Sequence, residues 1–386
     1  MADRPKPKIL YLVTEDWYFC SHRLPVARAA RDAGLKVVVA TRVRDHGREI
    51  ERNGFTLIPL DFPRRLANPW RELSTLIAII RLYRAERPDI VHHVAMKPVV
   101  LGSVAAFVTG VPRVINALAG LGYVFAADSV KARILRSLNG LAFRLLLNRA
   151  ESRVIVQNPD DRDTLIGAGV VEAEGMVLIR GSGVDVARFT PAPEPEGRVR
   201  LAFVSRMLWS KGAGVLVEAA RLLKARGVAI DIVLAGLPDA ANPASIGEAQ
   251  LKAWHQDGFV EWLGFVGDVP ALLAGCHIVA LPSFYGEGVP KCLLEAAASA
   301  RPIVAADGPG LREIVEDGVN GILVPPRDAK ALADAIERLA NDAALRRRMG
   351  QAGRRIVEDA FAEEIVVGET LDLYRRMLGA RWPGGG

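Results

Sequence analysis

The sequence predicts an α/β protein of two similar halves, each a doubly wound parallel sheet. Three observations carry this. Short apolar runs rich in β-branched residues alternate with helical patterns along the chain. The runs are apolar throughout rather than alternating, as strands buried on both faces are. The rhythm stops at a proline-rich stretch, "TPAPEPEGRVR" (Thr190–Arg200), and then restarts.

In the first half "KILYLV" is a strand. "HRLPVARAARDAG" has apolar residues at helical spacing and a glycine stop at Gly34. "LKVVVAT", "DIVHHV", "RVINAL" and "ESRVIVQN" continue the strand series to about residue 158. After the linker come "VRLAFVSR", the helix "AGVLVEAARLLKARG", and the strands "AIDIVLAG", "FVEWLGFV" and "HIVALPS". A helix from Pro290, then "RPIVAAD" and "NGILVPP", complete the second half. Strand, helix, strand at this spacing makes βαβ units. The expected domains are 1–190 and 191–361. An amphipathic helix at 362–380 packs back on the first domain, and a disordered tail spans 381–386. Two such halves predict a cleft between them.

The 386 residues carry a formal charge of +6, mild for this length, and half of them are hydrophobic. That charge suits an anionic membrane or a phosphorylated substrate. No nucleic-acid-binding signature accompanies it, so nucleic acid is not an expected partner. Cys20, Cys276 and Cys292 are odd in number and far apart, which excludes a disulfide framework and points to a reducing compartment. The N-terminus lacks a signal-peptide pattern, and Arg81 interrupts "LSTLIAIIRLY" too early for a bilayer span. A cytoplasmic protein is expected.

Neither half has GxGxxG after a strand, and GxxxxGK[ST] is absent, so nicotinamide, flavin and P-loop chemistry are disfavoured. Four stretches remain. In "LPSFYGEGVPKCLLEAAASARPIVAAD", Glu287 precedes a helix and Glu295 lies inside it, eight positions on. Pro290 suits the first helical position, and Gly286 and Gly288 let a ligand near the backbone. An open helix N-terminus binds phosphate. Glu295, about 7–8 Å along the helix, reaches a sugar hydroxyl. The same acids also read as a dipole cap and a Lys291–Glu295 pair. In "FVSRMLWSKG", Arg206 and Lys211 lie past a strand's C-terminal end, where they either meet a diphosphate or form a solvated loop. In "DIVHHVAMKP", His92 and His93 point to opposite faces of a strand, and Lys97 follows. Either histidine could be structural. "NALAGLGYVF" holds Gly120 and Gly122. The basic helical pattern after it, with Lys131, Arg133, Arg136, Arg144 and Arg149, fits either its own sheet or anionic lipid.

Taken in order, "SRMLWSKG", "VEWLGFVGDVPALLAGCHIVALPS", "GEGVPKCLLEA" and "PGLREIVEDGVNGILVPPRD", with "RGSGVDVARFTP" before them, resemble the GT-B glycosyltransferases of family 4. "HRLPVARAARDAGLKVVVAT" and "HHVAMKP" look like bacterial members that build polysaccharides or lipid-linked oligosaccharides. The resemblance covers nearly the whole chain and implies a fold of two Rossmann-like domains facing across a cleft. It implies that Glu287 is the first acid of the family's EX7E pattern, beside the donor sugar, and that Glu295 is the second, on the ribose. It implies that Arg206 and Lys211 hold the diphosphate. The backbone from Gly288 through Val289 and Pro290 to Lys291 adds to that, and Phe265 and Val266 lie near the base. A donor such as a UDP-N-acetylhexosamine, a lipid-linked or saccharide acceptor, retention of configuration and no metal or other cofactor are further implications.

The chain departs from the family in two places. Many members have a second histidine where Val94 stands, so His93 is the candidate catalytic histidine by substitution. "TEDWYFCSHR" replaces the glycine-rich loop after the first strand, which makes Asp16 and His22 candidate acceptor contacts. Two rivals share the architecture: a non-hydrolysing nucleotide-sugar epimerase and a catalytically silent sugar-nucleotide-binding protein.

Overall fold

A computed structural model describes residues 6–62, 68–120 and 144–384. The chain forms two compact units, Met1–Ser182 with Glu364–Gly386, and Gly183–Glu363. The first contains β1 (Lys8–Glu15), β2 (Lys36–Arg42), β3 (Thr56–Pro59), β4 (Ile90–Val94), β5 (Val114–Ala117), β6 (Ser152–Val156) and β7 (Met176–Leu178). All pair in parallel, in the order β3-β2-β1-β4-β5-β6-β7. The second contains β8 (Val199–Val204), β9 (Ile230–Ala235), β10 (Glu261–Gly264), β11 (Ile278–Leu281), β12 (Ile303–Ala306) and β13 (Gly321–Val324). Its parallel order is β10-β9-β8-β11-β12-β13. Each strand order reverses once, between β1 and β4 and between β8 and β11. Open α/β sheets bind ligands outside the strand C-termini at such a reversal.

The unit boundary falls at Ser182/Gly183, not at residue 190. Val184 donates to the Phe361 carbonyl and accepts from the Glu363 amide, so this segment is stitched into the second unit. The proline-rich stretch is not a free linker either. Glu194 holds the buried Arg346 through two bonds of 2.9 and 3.0 Å, and the Pro195 carbonyl meets His277 Nε2 at 3.0 Å.

The helix Glu363–Leu378 packs on the first sheet, burying Val366, Leu373 and Tyr374. Of the expected tail, the described residues 381–384 include two that are tied down. Trp382 is half-buried against the same core with Arg375 over its ring, and Arg381 pairs with Asp89 at 2.6 Å. An indole covers more apolar surface than the free-tail reading allowed for.

The two histidines fill opposite faces of β4, and both are fully buried. His93, the expected catalytic histidine, is fully buried with both ring nitrogens engaged, Nδ1 to Asn116 Oδ1 and Nε2 to the Tyr83 hydroxyl, each at 2.8 Å. Gly102 packs on its ring, where a Cβ would overlap it. Burial pushes its pKa down to about 4, against the raising effect of the Asn116 bond. The neutral ring therefore donates to Asn116 and accepts from Tyr83. His92 Nδ1 meets the Tyr374 hydroxyl at 2.6 Å, and Tyr374 in turn meets the Tyr11 hydroxyl at 3.0 Å, fastening the C-terminal helix to the sheet. Helices cover both faces of a parallel sheet, so a histidine on either face is interior. His93→Leu is expected to cost about 2–4 kcal/mol of unfolding free energy, because Tyr83 and Asn116 lose a buried partner. Urea melts check the cost. Turnover per folded molecule should be unchanged, whereas lost turnover at unchanged stability would restore a catalytic role.

Asp16 is likewise internal. Its carboxylate accepts from the backbone amides of Arg44 and His46 at 2.6 and 2.9 Å and so pins the loop after β2. His22 stacks on Tyr18, with ring centroids 4.1 Å apart. Lys97 pairs with Glu72 at 2.8 Å and lies over the Phe62 ring. Gly120 takes a positive φ of 95°. Gly122, Lys131, Arg133 and Arg136 lie outside the described residues. Among the described residues, no helix is long and apolar enough to cross a membrane.

Candidate active site

The strand reversal of the second unit brings together the two stretches that held the paired acids and the paired cations. β8 ends at Val204 and its loop runs to Lys211. β11 ends at Leu281 and its loop runs to Glu287. Lys211 Nζ lies 2.6 Å from Glu287 Oε1, with side chains only 15% and 12% exposed, so the pair is largely out of water. Ser283 donates to the same carboxylate oxygen at 2.6 Å and lies 3.2 Å from the Ser210 carbonyl. The Phe284 amide also bonds to the Ser210 carbonyl, at 3.1 Å. The two loops touch because of Gly212, whose φ of 84° starts the Ala213–Ala225 helix and where any Cβ would overlap the Pro282 carbonyl.

Arg206 follows β8 and pairs with Asp239 at 2.7 Å, its own side chain 40% exposed. Asp239 belongs to the loop after β9, which is laced to the Arg206 loop. Met207 donates to Leu237, Trp209 donates to Ala244, and Ile246 donates back to Met207. The guanidinium is thereby held at the strand edge with one face toward solvent.

Pro290 is the N-cap of the helix Lys291–Ala298, one position before the first helical residue, and its own side chain makes no capping bond. Its φ of −69° is one that proline imposes anyway. Glu295 is half-buried in the second turn, and burial pushes its carboxyl up to about 7 against the lowering effects of Lys291 and Arg188. Cys292 is placed among Lys211, Glu295 and Glu287. Burial raises its thiol to about 12, so it is an inert filler. The Gly286–Val289 segment is held from behind by Gly310, where a Cβ would overlap the Gly288 carbonyl oxygen. Val289 is buried in the core of this unit. Phe265 and Val266 follow β10, two strands from β8, with Phe265 76% exposed.

The sequence reading missed Ser283, Asp239, Arg188 and Gly310. Ser283 ends the quoted strand "HIVALPS", and its polarity beside a strand end was an available signal. Arg188 and Gly310 stood in quoted stretches without a role. Arg354 donates to the carbonyls of Val186, Phe189 and Ala298, tying the Arg188 segment to the C-terminal end of the Glu295 helix.

The second unit thus holds two cations, a helix start and two carboxylates at one sheet edge. That set suits a ligand with a diphosphate at its centre and hydroxyls on either side. Among the described residues, no three His, Cys, Asp or Glu side chains converge as metal ligands would.

Comparison with known proteins agrees. Residues 8–158 match the model described as "Glycosyl transferase 4-like", and residues 198–342 match "Glycosyl transferases group 1". The chain is 26% identical over 371 residues to the N,N'-diacetylbacillosaminyl-diphospho-undecaprenol alpha-1,3-N-acetylgalactosaminyltransferase of Campylobacter jejuni, covering 92% of this chain and 95% of that one. It is 25% identical over 319 residues to the UDP-Gal:alpha-D-GlcNAc-diphosphoundecaprenol alpha-1,3-galactosyltransferase of Escherichia coli, covering 80% of each. Anabaena Alr3699/HepE, solved in complex with UDP and glucose, superposes with a TM-score of 0.76 at 22% identity, over 97% of this chain and 100% of that one. The two matched models account for both units, each with its strand reversal, and the second contains the paired acids and cations: the chain belongs to the family 4 glycosyltransferases and has the GT-B fold.

Proposed function

We propose that the protein moves a sugar, an N-acetylhexosamine or a related hexose, from a UDP-linked donor to a lipid-linked or saccharide acceptor in cell-surface glycan synthesis. The anomeric configuration is retained. The observation that carries this is the Lys211–Glu287–Ser283 cluster, with Arg206 in the same loop as Lys211 and the Lys291–Ala298 helix start just after Glu287. The two curated relatives support the class of reaction. One is named as an N-acetylgalactosaminyltransferase and the other as a galactosyltransferase, both with undecaprenol-linked substrates in their names.

In this reading Arg206 and Lys211 meet the donor diphosphate, joined by backbone amides at the helix start. As the anomeric carbon–oxygen bond breaks, negative charge grows on the departing phosphate, and fixed cations stabilise that charge more than they stabilise the bound donor. Retention requires the acceptor oxygen to arrive on the face that the phosphate leaves. Glu287, held by Ser283 and Lys211, lines the sugar, and Glu295 accepts from the ribose hydroxyls. Two cations and the helix dipole balance the diphosphate, so transfer proceeds without a metal.

Glu295 gives a pH signature. Its ionised form is the hydrogen-bond acceptor, and its carboxyl titrates near about 7. Donor affinity is therefore full above that pH and falls as pH drops through it, approaching about tenfold per pH unit. Calorimetric titration of a UDP-sugar panel from mildly acidic to mildly alkaline pH, with and without EDTA, tests this. Glu295→Gln should flatten the profile and EDTA should change nothing. A wild-type affinity independent of pH removes Glu295 from the ribose, and failure of every UDP-sugar to bind removes the donor class.

A further inference from the structure

The helix Pro69–Glu86 in the first unit buries Thr75, Ile79, Leu82 and Tyr83. Its opposite side exposes Trp70 at 77%, Leu73 at 46% and Ile77 at 40%. With Arg81 and Arg84, also exposed, these fall at helical spacing on one stripe, and exposed Arg71 lies beside it. No acid lies on the stripe. Glu72 points away to Lys97 and Glu86 to Lys8. Among the described residues, no ion pair is made by Arg71, Arg81 or Arg84. Asn68 caps the first turn by accepting from the Trp70 amide at 3.0 Å, so the indole is presented from a fixed backbone.

We propose that this stripe docks the protein on an anionic lipid bilayer. Trp70, Leu73 and Ile77 enter the headgroup boundary, where indoles concentrate, and the arginines meet lipid phosphates. Charge decides between lipid and a second copy of the chain. An isologous contact through this stripe would oppose arginines with no carboxylate to pair them. Three exposed apolar side chains are also few for a protein interface, yet with adjacent cations they suffice for shallow lipid insertion. The Lys97–Glu72 pair places the Trp70 end beside the C-terminal ends of β3 and β4. A bilayer there adjoins the edge at which α/β sheets take ligands, which suits a lipid-linked acceptor. The docking itself does not depend on sugar transfer.

Flotation of the full chain with phosphatidylcholine vesicles, with and without phosphatidylglycerol, tests this without donor or acceptor. The wild type should float with anionic vesicles and not with neutral ones. Trp70→Ser/Leu73→Ser/Ile77→Ser and Arg81→Glu/Arg84→Glu should each weaken partitioning by about tenfold or more; the binding that the serine variant keeps should be abolished by salt, and that of the glutamate variant should not. All five positions are exposed, and unchanged circular dichroism melts confirm folding. Three results overturn the proposal: a wild type that stays with the pellet, stripe variants that float like wild type, or loss confined to Lys131→Glu/Arg133→Glu/Arg136→Glu. A lipid-free dimer dissociated by the serine variant, with flotation intact, assigns the stripe to a second copy and overturns it as well.

Discussion

Lys211→Ala is expected to lower kcat by about 10²–10³-fold, the loss typical of removing one preorganised group that meets transition-state charge. kcat/KM should fall with it, because the contact strengthens as the phosphate departs. Stability should drop by about 1–3 kcal/mol, since Glu287 keeps only Ser283 in a largely desolvated position. Arg206→Ala should cost a similar factor in rate and less in stability. Its guanidinium is 40% exposed, so solvent screens the pair more than it screens Lys211–Glu287. Steady-state kinetics with saturating donor, beside thermal melts, separates the two effects. Near-normal turnover in both variants would remove the cations from the reaction.

Gly310→Ala is expected to damage both fold and rate. A Cβ there would overlap the Gly288 carbonyl oxygen and crowd that of Glu287. The segment cannot yield freely. The Glu287 carboxylate is held by Lys211 and Ser283, and Pro290 caps the next helix three residues on. Accommodation costs about 3 kcal/mol or more, at the upper end for single substitutions. A displacement of about 1 Å at Glu287 is enough to lower turnover of the folded fraction by about 10²-fold. Gly368→Ala is the control. It lies within the Glu363–Leu378 helix with nothing near its would-be Cβ, so alanine there should stabilise by about 0.5–1 kcal/mol through helix propensity. Equal melts for the two alanine variants would show that the Gly288 backbone moves aside without cost.

The strand series was readable because burial on both faces of a parallel sheet leaves a local mark, a run such as "VVVA" or "IVAA" with no polar residue in it. The six strands of the second sheet were all visible as short, mainly apolar runs between turn or helix signals, although Arg200, Asp231 and Glu261 interrupt three of them. β3 and β7 were not. They are short strands at the two edges of the first sheet, and their side chains are only partly buried, so the apolar signal is thin. The histidine pair shows the opposite limit. Alternation along β4 correctly sends His92 and His93 to opposite faces. Whether either face is open depends on Tyr374, far along the chain, and on Tyr83 and Gly102 from two other helices.

The site divides in the same way. The sequence by itself determined the α/β class, the two strand-and-helix series, and the loops that hold Arg206, Lys211, Glu287 and Glu295. Those features follow from period, glycine and proline placement, and strand ends, all of which act within a few residues. Only the tertiary structure decided that Lys211 meets Glu287 across 76 positions, that Ser283 and Asp239 orient the charged groups, that Gly310 backs the Gly288 turn, and that His93 is interior. Those facts depend on which strands become neighbours. A parallel sheet sets neighbours through crossovers, and one reversal of strand order places distant loops in contact.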